Sequence, residues 1–513
     1  MGYVIAVDIG TTSTKSVLFT ETGKMVQRAA VDYPLLTPVS GAAEQEPEVI
    51  FSAVITTVQQ VVEGSKINPA EILCLSFSAA MHSLIAVDSQ GKLLTKSITW
   101  ADNRSAKWAE IVQKEKQGKE IYLRTGTPIH PMSPLIKIIW LREEQPEIFA
   151  KAAKFISIKE YIFYQLFGEY VVDYSIASTT GLLNLKELNW DREALELAKI
   201  TESNLSRLVP TTYIFQSLRE EYALFMGIPS HIPTVIGAAD GVLSNLGVGA
   251  IAPGIVAVTV GTSGAIRVVV DRPTCDPQQR LFCYALTENY WVIGGAVNNG
   301  GIILRWIRDR LADAEVLTAK TLGQDPYNML TAIAQTVPAG AEGLIFHPYL
   351  TGERSPIWDA NARGSFFGLS LRHTKAHLVR SMLEGVVYNL YLVFQALEDF
   401  AGEINSIRAS GGFANSCLWR QILADVFNQP VSVPEIYESS SFGAAILGLY
   451  ALKKITSLEQ VSQEIGLTYH HQPISENVAI YQKIIPIYSR ILAKFQEEYA
   501  QISQLQSQRK FNE

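Results

Sequence analysis

The hydrophobic pattern of the chain is clearest at its beginning. Tyr3 to Phe19 contains two runs rich in valine, isoleucine and leucine on either side of a short polar turn. Such runs favour β-strands, and a tight turn between them predicts a hairpin. The turn and its flanks carry Asp8, Gly10, Thr11, Thr12, Ser13 and Lys15. A third strand is predicted from Met25 to Tyr33, so the chain begins with three consecutive strands.

The pattern then becomes helical. Pro47 opens a segment whose apolar residues recur at helical spacing, and we expect this helix to close at Gly64. A buried strand is predicted from Ile72 to Ser78, and helical patterns dominate residues 105 to 230. Strands that are followed by helices predict an α/β fold.

The opening pattern recurs in the middle of the chain. Gly254 to Val269 again contains an apolar strand, a Gly-Thr-Ser turn and a second apolar strand. When the two stretches are aligned, Gly10-Thr11 falls on Gly261-Thr262, and Thr259 takes the place of Asp8. Two related hairpins predict two related domains, each of which offers one turn to a ligand that lies between them.

Both turns have the composition of a phosphate-binding site. Gly10 and Gly261 allow the backbone to approach an anion, and the amides and hydroxyls that follow, including those of Thr262 and Ser263, can donate hydrogen bonds to phosphate oxygens. Asp8 is placed to hold Mg²⁺, either directly or through water. A surface hairpin with a threonine-rich turn is the alternative that the local sequence leaves open.

Two polar stretches follow predicted strands, where ligand contacts tend to lie. One is Met81-His82, although a single histidine after a strand is more often a structural residue. The other combines an apolar wall, hydrogen-bonding groups and one cation, in the residues Trp100, Asp102, Asn103 and Arg104. We expect this second stretch to bind a polyhydroxylated substrate and Arg104 to attract a sugar-acid carboxylate.

Asp240 lies at the end of an apolar strand that begins at Val235. A carboxylate at such a position can cap a helix, and it can also act as a general base. The second interpretation is favoured because Asp240 directly precedes the repeated hairpin and because a sugar hydroxyl needs a proton acceptor.

Two later glycine-rich turns each lead into a predicted helix. They occupy Val292 to Gly301 and Ile407 to Asn415. Accessible backbone and unpaired first-turn amides make such turns contact surfaces for a nucleotide. Gly411 and Gly412 leave space for a flat apolar ring, and Asn415 can hydrogen-bond to its edge. Trp419 is expected to hold the following helix in place instead of touching the nucleotide.

Composition narrows the class of protein. The 513 residues predict two or more domains, and 43 basic against 50 acidic residues give a net charge of −7. This balance does not recruit nucleic acid or an anionic membrane surface. The four cysteines are scattered, and the sequence shows neither an export signal nor an apolar run long enough to span a membrane. We therefore expect a cytoplasmic protein with reduced thiols.

Four motifs, in the expected order, resemble those of the FGGY carbohydrate kinases. They are Asp8 to Lys15, Pro131 to Leu141, Gly261 to Gly264 and Gly411 to Gln421. The resemblance implies two actin-like, ribonuclease H-like domains near residues 1–248 and 249–513, with a ligand cleft between them. It also implies that the sugar binds mainly to the first domain and MgATP mainly to the second, beside Gly301, and that Asp240 is the catalytic base.

Within this family, Ser76 to Ser83 and Thr99 to Ser105 are most similar to the gluconate kinases. The expected reaction is therefore ATP-dependent phosphorylation of D-gluconate at a primary hydroxyl. Xylulose is the near alternative, because the Met-His pair resembles xylulose kinases too. A catalytically inactive sugar-sensing protein on the same fold is the distant alternative. The oligomeric state is open, with a homodimer among the alternatives.

Overall fold

The computed structural model describes residues 2–435, 438–460 and 465–509. The chain forms two compact units, and neither is continuous in sequence. The first unit comprises Met1–Ile251, Val269–Ile293 and Glu438–Glu464, and the second comprises Ala252–Val268, Gly294–Tyr437 and Ile465–Glu513. Each unit is built from three separate segments of the chain. A single domain boundary between residues 248 and 249 stays a prediction.

The first unit contains a six-stranded sheet. Its strands lie in the order Ile214–Phe215, Thr234–Ala239, Ile72–Ala79, Tyr3–Ile9, Ser13–Thr20 and Met25–Asp32. The first three strands of the chain are antiparallel neighbours, and the opening strand also pairs in parallel with Ile72–Ala79. The side chains from Val4 to Val7 are fully buried. A strand with both faces covered is typical of the centre of an α/β sheet.

The sheet of the second unit repeats this topology. From Gly264–Val270 onward, its strands lie in the order Gly264–Val270, Ile255–Val260, Ser406–Ser410, Val431–Pro434 and Leu467–His471. The hairpin pair is antiparallel, the next two pairings are parallel, and the last is antiparallel. The first unit has the same sequence of pairings from its hairpin outward. The repeat that was predicted from two short turns therefore extends across a whole sheet.

The remaining strands and helices have the following bounds. The other strands are Glu44–Gln45, Ile85–Val87, Ser97–Ile98, Lys154–Ile156, Val171–Asp173, Leu183–Asn184, Asn189–Trp190, Arg207–Val209, Phe282–Ala285, Trp291–Val297, Ile345–His347 and Ser365–Phe367. The helices of the first unit are Pro47–Ser65, Ala106–Lys114, Lys116–Thr125, Pro134–Glu144, Pro146–Lys151, Ile158–Phe167, Tyr174–Ser178, Arg192–Ala198, Glu220–Met226, Asp240–Gly247 and Ser439–Ala451. Those of the second are Ile302–Arg310, Asp313–Leu322, Pro326–Gln335, Lys375–Ala401, Cys417–Phe427, Ser475–Lys494 and Gln496–Arg509.

Most predicted elements near the candidate site are present with small shifts at their ends. The first helix runs through Gly64 and ends at Ser65, where Lys66 takes the left-handed conformation with φ 57°. The predicted closure at Gly64 is therefore wrong by one residue, because a lysine supplies the left-handed cap that glycine usually provides. In the part of the chain that the structure describes, no helix is both long and apolar enough to cross a membrane.

Candidate active site

The first hairpin presents its turn at one end of the sheet. Asp8 pairs with Lys15 across the two strands, so both are strand residues, and the turn itself is formed by Gly10, Thr11 and Thr12. The Gly10 amide donates to the carbonyl of Ser13 at 3.0 Å, which closes the turn. Thr12 is exposed, and the other two turn residues are partly exposed. Within this turn the Thr12 side chain is the most accessible to an anion.

Asp8 is partly exposed and contacts the neighbouring strand. The Ser78 hydroxyl donates to Oδ1 of Asp8 at 2.6 Å, and burial raises the pKa of this carboxyl group. In the second unit the same two sheet positions are occupied by Thr259 and Ser410, whose hydroxyl oxygens lie 2.9 Å apart. The alignment of Thr259 with Asp8 thus holds in three dimensions, but only the first unit has a carboxylate at this position.

Lys15 of the first hairpin is already paired with a carboxylate. Its Nζ lies 3.0 Å from Oε2 of Glu438, and Nε of Arg28 lies 2.8 Å from Oε1 of the same residue. The lysine side chain keeps about 30% exposure. Lys15 lies in the strand Ser13–Thr20, close to the turn that precedes this strand.

The second hairpin is closed in a similar way and packs against a glycine-rich turn. The Gly261 amide donates to the Ser263 carbonyl at 2.9 Å. The amide of Gly301 donates to the Gly261 carbonyl at 2.7 Å, and that of Gly300 donates to the Thr262 carbonyl at 3.2 Å. A Cβ atom at Gly301 would lie 2.5 Å from the Gly261 oxygen. Glycine is therefore required at Gly301 by this close approach of two backbones.

A cavity of about 390 Å³ lies next to this contact, wholly within the second unit. This volume is within the range of small-molecule sites. Its wall contains the predicted residues Gly261, Thr262, Gly301, Gly412 and Asn415. Ser263 and Gly411 are the chain neighbours of wall residues. The structure thus gathers three separate motifs around one cavity.

One side of the cavity is apolar and aromatic. Its wall includes Leu304, Tyr327, Phe413 and Trp419. Trp419 also donates from Nε1 to the Leu383 carbonyl at 3.1 Å. The expectation that Trp419 only fixes its helix is therefore incomplete, because its ring also forms part of the wall. Such a surface suits a flat, largely apolar ring such as a nucleobase.

Several polar residues of the cavity were missed by the sequence analysis. Arg305, Asp325, Asn328 and Thr331 all line it. A guanidinium nitrogen of Arg305 lies 3.4 Å from the Thr262 hydroxyl. The Asp325-Pro326 pair is a recognisable helix start, and Asp325 accepts a hydrogen bond from the Tyr327 amide at 2.8 Å. The Asp325-Pro326 pair predicts the start of the helix, but the sequence around it does not predict that the helix lines this cavity.

Asp240 is the first residue of its helix. The strand Thr234–Ala239 ends directly before it, and the helix Asp240–Gly247 begins with it. Ala239 is the N-cap residue, and Oδ1 of Asp240 accepts a hydrogen bond from the Gly241 amide at 2.6 Å. The carboxylate is half-buried. Asp240 is thus positioned by a rigid strand-to-helix junction, although it is not the N-cap residue that the structural alternative predicts.

The Trp100 to Arg104 stretch contacts the first hairpin. Nε1 of Trp100 donates to the Thr11 hydroxyl at 2.9 Å. Asp102 is 1% exposed, and its Oδ2 accepts a hydrogen bond from the Ala43 amide at 2.9 Å. Asn103 is exposed, and its amide donates to the Gly41 carbonyl at 2.8 Å. This stretch therefore lies beside the predicted phosphate-binding turn.

Arg104 is more constrained than the sequence suggests. Its guanidinium contacts both oxygens of Asp102 and also the Glu44 carboxylate. It also lies 4.6 Å from the centre of the Trp140 ring. One cation therefore faces two carboxylates, so Arg104 carries no surplus positive charge. Glu44 was missed because it is 60 residues away in sequence and lies in a two-residue strand.

The Met81-His82 pair is fixed by hydrogen bonds to His82. His82 is buried in the left-handed conformation with φ 65°, and its Nδ1 lies 2.8 Å from the Thr179 carbonyl. Its own carbonyl accepts a hydrogen bond from Nζ of Lys137 at 2.6 Å, and that ammonium also donates to the Met132 carbonyl at 2.9 Å. Burial lowers the pKa of Lys137 to about 7. Met81 is partly exposed beside this fixed turn.

Among residues 2–435, 438–460 and 465–509, no group of three or more histidine, cysteine, aspartate or glutamate residues is arranged to hold a metal ion.

Comparison with known families covers most of the chain. The model of the N-terminal domain of the FGGY family of carbohydrate kinases matches residues 3–247, and that of the C-terminal domain matches residues 256–452. The curated gluconokinase of Bacillus subtilis is 56% identical over 506 residues, which cover 98% of each protein. The xylulose kinase of the same organism is 27% identical over 494 residues, 96% of this chain and 97% of the relative.

Two solved structures from Lactobacillus acidophilus are also similar. The one described as gluconate kinase has a TM-score of 0.93 and 39% identity, and the match covers 98% of this chain and 99% of the other. The one described as ligand-bound xylulose kinase has the same TM-score and identity and covers 98% and 100%.

Proposed function

Because the chain belongs to the FGGY family of carbohydrate kinases, we propose that it phosphorylates D-gluconate with ATP to give 6-phospho-D-gluconate. The predicted family and its actin-like α/β fold are confirmed by these matches and by the repeated sheet topology. As a carbohydrate kinase, the protein uses ATP as its phosphoryl donor.

The choice of gluconate rests on a comparison of two kinases from the same organism with this chain. The Bacillus subtilis gluconokinase is twice as similar to this chain as the xylulose kinase of that organism, at 56% against 27% identity. An identity of 56% over nearly the whole chain favours the sugar of that relative over the sugar of a relative at 27%.

Xylulose remains the second candidate for a specific reason. The two Lactobacillus acidophilus structures are described by different substrates, yet they have the same identity and TM-score to this chain. Their fold similarity therefore does not separate the two sugars.

The cavity of the second unit is the proposed ATP site. Its aromatic wall would receive adenine, and Gly412 leaves room because a Cβ atom there would meet nothing within 4 Å. Asn415 would bond the base or the ribose. The Gly261 and Thr262 turn, with Ser263 and Arg305 beside it, would face the phosphates. The first hairpin has the same kind of turn, and we assign phosphate contacts to Thr11, Thr12, Ser13 and Lys15.

Asp240 is the proposed general base. The sugar hydroxyl gives its proton to the Asp240 carboxylate while its oxygen forms a bond to the γ-phosphorus of ATP. The bond between that phosphorus and the bridging oxygen breaks, and ADP leaves with the bonding electrons. Most of the barrier in phosphoryl transfer is lowered by positioning and charge neutralisation, so the base adds to a site that is already organised.

Asp8 is the proposed protein ligand for Mg²⁺. The fit is supported by a partly exposed carboxylate whose pKa is raised by desolvation, since a nearby divalent cation would stabilise its charged form. Hard oxygen ligands are those that Mg²⁺ prefers, and one carboxylate with waters and phosphates completes many such sites. The ion, when bound, supplies charge neutralisation at the phosphates.

The sugar site is assigned to Met81, His82, Trp100, Asp102, Asn103 and Arg104. Because Asp102 and Glu44 balance the charge of Arg104, we propose that this arginine recognises the carboxylate by directed hydrogen bonds and not by net attraction.

Two Arg104 variants test this role. We expect Arg104→Ala to raise the KM for gluconate by about tenfold, in line with the loss of a charged hydrogen bond. Arg104→Lys should behave similarly, because an ammonium cannot bridge two carboxylates and lie flat on Trp140. The neutral polyol D-glucitol, measured as an inhibitor, should be affected less. Equal changes for both ligands would contradict a contact with the carboxylate, and a normal KM in Arg104→Lys would show that charge alone suffices.

The function itself is tested with purified protein, MgATP and a coupled measurement of ADP. Gluconate, xylulose, ribulose, glycerol and a no-sugar blank are compared at equal concentrations. We expect kcat/KM for gluconate to exceed that for every other substrate by at least about 100-fold, because one mismatched polar contact already costs this order of discrimination. Preferred turnover of xylulose would establish the second candidate.

A further inference from the structure

One buried carboxylate of the second unit has no part in the proposed reaction. Glu353 is 2% exposed and lies in the loop that follows Leu350. Its Oε1 accepts hydrogen bonds from the amides of Asn298 and Arg354, and its Oε2 accepts them from the side-chain amides of Asn299 and Asn389, at 3.2 and 2.8 Å. Four N–H donors therefore converge on one carboxylate inside the protein.

These donors connect three separate segments. Asn298 and Asn299 belong to the glycine-rich turn, Arg354 is in the loop of Glu353 itself, and Asn389 is in the long helix Lys375–Ala401. The same loop supports the turn a second time. Asn299 donates to the Gly352 carbonyl at 2.7 Å, and Nε of Arg354 donates to Oδ1 of Asn298 at 2.7 Å. The turn is thus tied to the loop by side chains from both sides.

The other end of the turn reaches the cavity. The amides that follow Asn299 donate to the second hairpin, from Gly300 to the Thr262 carbonyl and from Gly301 to the Gly261 carbonyl. Gly261, Thr262 and Gly301 all line the cavity, whereas Glu353 is not part of its wall. A continuous set of hydrogen bonds therefore runs from Glu353 through the turn to the residues that would face the phosphates.

We propose that Glu353 is a positioning residue for the nucleotide: it fixes the Asn298–Gly301 turn, and through it the Gly261–Thr262 tip, without touching ATP. This inference rests on the proposed function, because it takes the cavity to be the ATP site.

The chemistry of the side chain explains why a carboxylate is needed. A carboxylate only accepts hydrogen bonds and has room for all four donors, whereas an amide of the same shape would turn an NH₂ group towards some of them. Burial raises the pKa of Glu353, and the amide donors of Asn298 and Arg354 oppose this shift. Losing the charge would leave buried N–H groups with weaker partners, and two of these N–H groups belong to the turn.

The test compares two buried glutamates of the second unit. Glu353→Gln is expected to raise the KM for ATP by about tenfold or more, with the KM for gluconate changed less than twofold. Glu384→Gln is the matched control. Glu384 is 0% exposed and accepts hydrogen bonds from the Gly340 amide, Arg380, Tyr388 and Tyr481, and it belongs neither to the turn nor to the cavity wall. Its variant should lose stability and keep a normal KM for ATP.

KM does not depend on the fraction of protein that is folded, so this comparison separates positioning from general destabilisation. If Glu353→Gln does not fold, Asn299→Ala decides the question. It removes a different link of the same set and should raise the KM for ATP selectively. The proposal is overturned if the folded variant keeps a normal KM for ATP, or if the control raises it equally.

Failure of the proposed function would look different. The wild-type protein would then show no binding of ATP by calorimetry, and no variant would be needed to see it. Binding of ATP by the wild type together with a normal KM in Glu353→Gln would reject only the positioning role.

Discussion

Asp240→Asn is expected to lower kcat by about 10³-fold and to leave the KM for ATP and gluconate within a few-fold of the wild type. Removing a general base typically costs between about 10² and 10⁴ in rate. The amide cannot take the hydroxyl proton, but it occupies the same volume at the strand-to-helix junction, where Oδ1 can still accept the Gly241 hydrogen bond. Steady-state kinetics with gluconate and MgATP measure this directly.

Asp191 provides a matched control for this substitution. It also follows a strand, Asn189–Trp190, and precedes a helix, Arg192–Ala198. Its carboxylate caps that helix and binds Arg124. Asp191→Asn should therefore lower the thermal midpoint with little change in kcat. Substantial kcat in a folded Asp240→Asn protein, or an equal loss in Asp191→Asn, would contradict the catalytic assignment.

Gly412→Val is expected to abolish measurable ATP binding without destabilising the ligand-free protein. Gly412 lines the cavity of the second unit, and a Cβ atom there would meet nothing within 4 Å. The valine side chain would therefore enter the space that the nucleotide needs. Overlap of the valine side chain with several atoms of the nucleotide should raise the Kd for ATP at least about 100-fold, which corresponds to close to 3 kcal/mol. Thermal unfolding with and without MgATP measures both effects together.

Two further variants sharpen this result. Gly412→Ala adds one carbon and should weaken ATP binding less than valine does. Gly261→Val enters the same cavity from another part of its wall, where a Cβ atom also has free space. It should reproduce the loss. An unchanged Kd for ATP in both valine variants would show that the nucleotide binds elsewhere. A large fall in the midpoint of the ligand-free protein would show that the space is not free.

The sequence predicted what local patterns can specify. The two hairpins were evident because each joins apolar runs through a Gly-Thr turn, and the strand that delivers Asp240 was evident from its apolar run. The structure extends this repeat to Ser78 and Ser410, which neither turn could indicate, because register between strands is set by the whole sheet.

The sequence did not predict contacts between segments that are far apart. Glu44 beside Arg104, Lys137 behind His82 and Tyr327 in the cavity wall each depend on tertiary packing. For the same reason the charge of Arg104 was overestimated, since its two carboxylate partners cannot be identified from its neighbours in sequence. Between Asp173 and Gly181 the chain forms the short helix Tyr174–Ser178, because Asp173 caps it at the Ile176 amide.

The most direct test of the account is the identity of the product. Gluconate and MgATP are incubated with the purified protein, and the sugar product is examined by phosphorus and proton NMR while ADP is quantified. We predict one phosphate ester per ADP, with the phosphorus coupled to the two protons of the terminal CH₂ group, as in 6-phospho-D-gluconate. An ester at another carbon, or ADP without any sugar phosphate, would contradict the proposed reaction.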